Sequence, residues 1–241
     1  MSSLTGRHFL LTRTEEDNAL WRATIESRGG RALSWPCLVC QALPEGLAHL
    51  PEAVRGIDWI ALSSRRSATL LSDQVSAEAV ATKRLACVGP GTAQRTRELF
   101  GRVDLVASGG TARSLAGELL AATDETTGVL WLGAESPRPD FAAAFAAADR
   151  RLRELALYRT IPAHSPRPQA LPAVDAIFFA SPSAVRGFLR TASAPSDTPL
   201  ISIGPSTSTA LREAGLEVAS EAQTRDLEGM LAATLRLAQK P

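Results

Sequence analysis

Apolar positions along the chain fall in short, nearly unbroken blocks. Phe9-Leu10-Leu11, Trp59-Ile60-Ala61-Leu62, Leu85-Ala86-Cys87-Val88, Val129-Leu130-Trp131-Leu132, Ala176-Ile177-Phe178-Phe179 and Leu200-Ile201-Ser202-Ile203 each have the length of a strand. Apolar runs without alternation predict strands covered on both faces, as in parallel sheets. Weaker apolar segments at 32–39, 103–107, 152–161 and 216–219 extend the set, the first broken by Pro36. Between the blocks lie helix-length stretches: 15–27 with Ala19, Leu20 and Ala23 on one face and Gly29-Gly30 as its stop, 68–71 behind the hydroxyls of Ser63, Ser64 and Ser67, then 111–122, 140–148, 184–189 and 227–237. The stretch around Glu52-Ala53-Val54 reads as a polar connection. Strand and helix alternate throughout, which predicts an α/β fold.

One junction occurs twice. Leu200 to Ile203 runs into Gly204-Pro205-Ser206-Thr207 and a helix-like segment closed by Gly215; Leu85 to Val88 runs into Gly89-Pro90-Gly91-Thr92 and another closed by Gly101. A strand that turns tightly into a helix presents backbone N–H groups and the positive dipole end, a setting for an anionic ligand group. Other correspondences follow in the same order: Asp58 with Asp175, Val106-Ala107-Ser108 with Val218-Ala219-Ser220, and Arg113, Leu115, Gly117, Leu119 with Arg225, Leu227, Gly229, Leu231. Their spacing drifts slowly, as loop deletions between two copies would leave it. It far exceeds a solenoid period, so a duplicated domain is expected.

Composition narrows the function classes. The 241 residues are 45% hydrophobic and 21% charged, with a formal net charge of +1, which gives no global pull toward nucleic acid or an anionic membrane. Without a secretory-type N-terminus or a bilayer-length apolar run, a cytoplasmic protein is expected. Cys37 and Cys40 form a lone Cys-x-x-Cys and Cys87 sits mid-strand; all three read as small apolar residues. His8, His49 and His164 are too scattered for a metal site or a serine-histidine-carboxylate triad. Gly89-Pro90-Gly91 continues with Gln94 in place of the third glycine of a dinucleotide fingerprint. Lys83 and Lys240 are the only lysines, and Arg65, Arg66 and Arg186 stand beside strand-end hydroxyls.

At these residues the sequence resembles the uroporphyrinogen-III synthase family. The resemblance is carried by Leu11-Thr12-Arg13, Ser64 with its helix, Val88-Gly89-Pro90-Gly91-Thr92-Ala93, Leu157-Tyr158-Arg159-Thr160, Phe179-Ala180-Ser181-Pro182-Ser183-Ala184-Val185 and Ile203-Gly204-Pro205-Ser206-Thr207. It implies two flavodoxin-like domains joined by a two-stranded connector, the first from residues 1–37 and 162–241, the second from 43–156. It implies an enzyme that closes hydroxymethylbilane to uroporphyrinogen III with inversion of the last ring and loss of water, as a monomer and with no cofactor or metal. Tyr158 would be the catalytic group; Arg13, Ser64, Gly89, Thr92, Ser181, Ser183, Gly204, Ser206 and Thr207 would bind the linear tetrapyrrole. Two positions depart from the pattern: Thr14-Glu15-Glu16-Asp17 where proline often follows the opening Thr-Arg, and Ser206 where threonine is common. From the residues alone two other classes stay open, a non-enzymatic two-lobed binder of a small polyanion and a nucleotide-dependent transferase.

Overall fold

A computed structural model describes residues 4–135, 139–163 and 171–237. The chain forms two compact units, Met1–Cys40 with Thr160–Pro241, and Gln41–Arg159. In chain order the elements are β1 (His8–Leu11), α1 (Glu15–Glu26), β2 (Arg31–Ser34), β3 (Leu38–Ala42), α2 (Pro44–Ala53), β4 (Trp59–Leu62), α3 (Arg65–Gln74), α4 (Ala77–Ala81), β5 (Arg84–Cys87), α5 (Pro90–Phe100), β6 (Leu105–Val106) and α6 (Ala112–Ala122). Then follow β7 (Val129–Ala134), α7 (Asp140–Ala147), β8 (Leu152–Pro162), β9 (Ala176–Phe179), α8 (Pro182–Leu189), β10 (Leu200–Ser202), α9 (Pro205–Glu213), β11 (Ser220–Glu221) and α10 (Leu227–Leu237).

One unit holds a five-stranded sheet in the order β11-β10-β9-β1-β2, every neighbouring pair parallel. Successive side chains of β1 alternate between its faces: Phe9 and Leu11 pack with Ile25, Phe178 and Met230, while Leu10 packs with Ile177, Phe179, Phe188 and Leu211. Burial on both faces is why the strand reads as a continuous apolar run, and each such side chain contributes about 1.5–3 kcal/mol. Polar Ser202 is admitted to β10 because Ser208 at 2.6 Å shares a hydrogen bond with it, Ser208 donating in turn to Glu221 at 2.5 Å.

The six-stranded sheet has the order β3-β8-β7-β4-β5-β6. From β8 to β6 the neighbours are parallel. β3 runs antiparallel to β8, with Leu43 N–H donating to Leu157 O and Ala163 N–H to Cys37 O. Trp59, Ala61, Leu115, Leu119, Trp131, Phe141 and Phe145 build one face of its core. Trp131 stacks on Phe141 with ring centroids 4.1 Å apart.

Both sheets pin a central strand by an aspartate. Asp58 Oδ2 accepts the Gly128 N–H at 2.7 Å, and Asp175 Oδ2 accepts the His8 N–H at 2.7 Å while its Oδ1 accepts from Arg7 at 2.8 Å. Burial pushes the Asp175 carboxyl up, but the His8 N–H and the Arg7 guanidinium outweigh it and hold the group below its ordinary value.

Several sequence expectations are corrected. On α1 the residues Ala19, Leu20 and Ala23 are exposed, and the packed face carries Asn18 and Ile25 with Trp21 partly covered. Asn18 misleads a pattern reading because it is buried through hydrogen bonds to Leu11 O, Ser34 and Arg13 N. The supposed polar connection is α2, which lies so close to β8 that a Cβ on Gly46 would sit 1.9 Å from Ala156 O. Glycine and Pro51 disguise it as a loop.

The segment 216–219 is not the paired strand: Ser220 and Glu221 pair with β10, as Leu105 and Val106 pair with β5. The helices that follow these short strands start at Ala112 and Leu227.

Candidate active site

The carboxyl ends of parallel strands are where turns into helices gather hydrogen-bonding groups. In the six-stranded unit these ends surround a cavity of about 370 Å³. Ser63 enters from the end of β4, Val88 from β5, Gly110, Thr111 and Ala112 from the turn into α6, Trp131 and Ala134 from β7, Asp140 from α7 and Tyr158 from β8.

Tyr158 reaches this wall through a bulge. β7 and β8 pair in step as far as Gly133 with Ala156, and the next pair is Ala134 with Tyr158, so β8 gains a residue there. A bulge re-aims the side chain that follows it. Tyr158 is 9% exposed, and its hydroxyl donates to Ser64 Oγ at 3.0 Å. Ser64 is also the N-cap of α3, accepting the Ser67 N–H at 3.1 Å. Ser67 Oγ lies 3.0 Å from Ser64 Oγ and 3.2 Å from Ser63 Oγ, so three serines and the phenol form one hydroxyl network.

Beside them, Gly89 is the N-cap of α5, and a Cβ there would lie 3.7 Å from Gly110 Cα. Thr92 is buried at 8% exposure, since the third helical residue turns back toward the sheet. Asp140 is ion-paired with Arg113 at 2.6 Å.

The remaining candidates belong to the other unit and stand at its own strand ends. Arg13, just after β1, is paired with Asp17 at 2.9 Å and lies over Trp21 with 5.0 Å to the ring centroid. The acidic Thr14-Glu15-Glu16-Asp17 run has a physical use: Thr14 caps α1 by accepting the Asp17 N–H, and three acids face the positive helix end. Ser181 caps α8 by accepting the Ala184 N–H at 3.1 Å, and Ser183 accepts from Arg186 at 3.3 Å. Gly204 caps α9, and a Cβ on it would be 3.5 Å from Arg225 Nε. Ser206 is exposed. Thr207 is not presented as expected: it is 1% exposed and its hydroxyl has no partner among the described residues. Helical rotation carries this third residue inward, as it does Thr92.

The profile of the family described as uroporphyrinogen-III synthase HemD matches residues 20–232. The chain belongs to the uroporphyrinogen-III synthase family. Among solved structures it resembles the uroporphyrinogen-III synthetase of Helicobacter pylori, with 16% identity, a TM-score of 0.69, 96% of this chain covered and 99% of that one. It also resembles a mutant uroporphyrinogen III synthase from the extremely thermophilic bacterium Thermus thermophilus, with 19% identity, a TM-score of 0.58, and 98% and 100% of the two chains covered. At these identities the likeness speaks for the α/β fold alone. No curated protein matches significantly.

Within this uroporphyrinogen-III synthase family member, Ser64, Gly89 and Tyr158 gather at one set of strand ends, and Arg13, Ser181 and Gly204 at another. Residues not singled out from sequence are Trp131, Asp140 and Thr111. Trp131 looked like one more apolar strand residue; its ring N–H, needing an acceptor when buried, was the available signal. His49 lies in α2 and His8 in β1, while His164 and Lys240 lie outside the described residues.

Proposed function

We propose that this chain converts hydroxymethylbilane to uroporphyrinogen III with loss of water, in tetrapyrrole biosynthesis. The observation that carries the reading, beyond family membership, is the Tyr158 phenol hydrogen-bonded to Ser64 at the wall of a cavity of about 370 Å³. Such a cavity falls in the size range of small-molecule sites. A pyrrole nitrogen lone pair expels the terminal hydroxyl, which takes a proton from the phenol and leaves as water. The resulting azafulvene is attacked by the substituted carbon of the last ring to give a spiro intermediate. Its bond to the preceding ring's methylene then breaks, and that methylene, now a second azafulvene, bonds to the last ring's free carbon, which leaves the ring inverted. A proton lost from carbon on aromatisation restores the phenol. Ser64 orients the phenol by accepting its O–H beforehand. Because the linear substrate also closes unaided to the uninverted isomer, the main task is to hold its ends.

Substrate carboxylates are proposed to be bound by Arg13, Ser181, Ser183, Ser206 and the helix starts at Gly89 and Gly204. Thr92 and Thr207, buried in the first turns of α5 and α9, are not proposed as direct ligands. The two units are proposed to be domains of a duplicated flavodoxin-like fold, bordered at 1–37 with 162–241 and at 43–156, with β3 and β8 as connector. Supporting this, the orders β2-β1-β9-β10-β11 and β8-β7-β4-β5-β6 agree when the chain's entry point is shifted, and Asp58 and Asp175 make the same bond. A cytoplasmic monomer is part of the same reading, checked by sedimentation and by fractionation.

The test is incubation with hydroxymethylbilane followed by separation of isomers I and III. Predominant isomer III supports the reading. Isomer I at the level of a protein-free control overturns it and leaves a non-catalytic polyanion binder.

A further inference from the structure

We propose that Trp131 is a substrate-positioning residue, its indole N–H and the Ser63 hydroxyl together receiving one carboxylate of the tetrapyrrole in the cavity beside Tyr158. The proposal rests on the functional reading above. Trp131 is 4% exposed, lines the cavity, and its Nε1 is buried with no hydrogen-bond partner among the described residues. A buried ring N–H left without an acceptor loses its water bond and gains nothing, so a site that keeps one is suited to an incoming acceptor.

Glycine makes room for that acceptor. A Cβ on Gly133 would stand 2.9 Å from Trp131 Nε1 and 3.0 Å from Ser63 Oγ, so both groups converge on the space above this residue. Stacking on Phe141 at 4.1 Å, and of Phe141 on Phe145 at 5.0 Å, fixes the indole plane. The carboxylate in the cavity wall, Asp140, is offset by Arg113 at 2.6 Å. Of the acceptors on a carboxylated linear tetrapyrrole, the carboxylates are the strongest, and charge-assisted bonds are the ones that repay desolvation.

Trp131→Phe keeps an aromatic ring against Phe141 and removes the N–H together with part of the buried ring, so Gly133→Ala, which deletes no atom, is its control. For Trp131→Phe the expected result is a KM for hydroxymethylbilane raised about ten-fold, with kcat changed less than about two-fold in a protein that still folds, at a lowered thermal midpoint. Gly133→Ala, which sets a methyl group against both donors without removing either, should raise KM in the same way. In parallel, titration with uroporphyrinogen III should change the indole fluorescence of the wild-type protein and lose most of that change in Trp131→Phe. A wild-type protein yielding only isomer I overturns the functional reading, and the fluorescence titration then decides the Trp131 contact by itself. Wild-type formation of isomer III with an unchanged KM in both variants overturns the Trp131 assignment alone, as does a loss of kcat with KM unmoved.

Discussion

The Tyr158 phenol donates to the Ser64 hydroxyl over 3.0 Å, joining the bulged strand β8 to the start of α3. Ser64 thereby caps a helix and orients a proton donor at once. Tyr158→Phe should lower kcat by roughly ten-fold to a hundred-fold with folding intact, the lower part of what a positioned donor supplies. Ser64→Ala should destabilise by about 1 kcal/mol through loss of the cap and lower kcat less. Steady-state kinetics beside thermal melts check both, and full activity in Tyr158→Phe would return the tyrosine to a packing role.

Gly46→Ala should destabilise by about 3 kcal/mol or more. The added Cβ would stand 1.9 Å from Ala156 O, a backbone atom in the strand leading to Tyr158, so relief requires moving α2 or β8. Equilibrium unfolding in urea measures the loss, and a reduced kcat in the folded fraction would show the bulge shifting. Wild-type stability would mean that α2 does not sit so close.

Thr207→Val should leave the protein folded and stabilise it by about 1 kcal/mol, because it replaces a buried hydroxyl without a partner by a methyl group of similar size. Ser206→Ala, at the exposed neighbour, should instead weaken substrate binding. A large rise in KM for Thr207→Val would restore the hydroxyl as a direct ligand.

Stability should fall in acid partly through Asp175. Its carboxyl titrates below its ordinary value in the folded chain, so the ionised form favours folding. That contribution is fully present above a pH of about 4 and fades as the pH falls through the lower folded value. Asp175→Asn should flatten this part of the profile. Melting temperatures of the two proteins between about pH 2 and 7 provide the comparison, and parallel curves would exclude Asp175 as a contributor.

Thiol reactivity should single out Cys40. Burial pushes the Cys37 thiol up to about 12 and also raises Cys87, where bonding to Thr96 and the charge of Arg97 only partly oppose it. Cys40 is partly exposed. A thiol-specific reagent at mild pH should modify one cysteine in the folded protein and all three after denaturation, as read by mass spectrometry. Rapid modification of Cys37 would contradict its burial.

The sequence by itself determined the strand blocks, the two Gly-Pro helix starts and the family motifs. Apolar runs such as Ile60-Ala61-Leu62 can be satisfied only by burial on both faces, and Pro90 and Pro205 are suited to the first helical position and little else nearby. Tertiary structure decided which of those residues meet. The bulge that turns Tyr158 onto Ser64, the approach of α2 to Ala156, and the convergence of Trp131 and Ser63 over Gly133 all depend on strand register and interatomic distance. Thr207 shows the limit most plainly, for it carries a binding-type side chain at a binding-type turn. Three residues into a helix the side chain faces the sheet, and only packing reveals that its hydroxyl is buried.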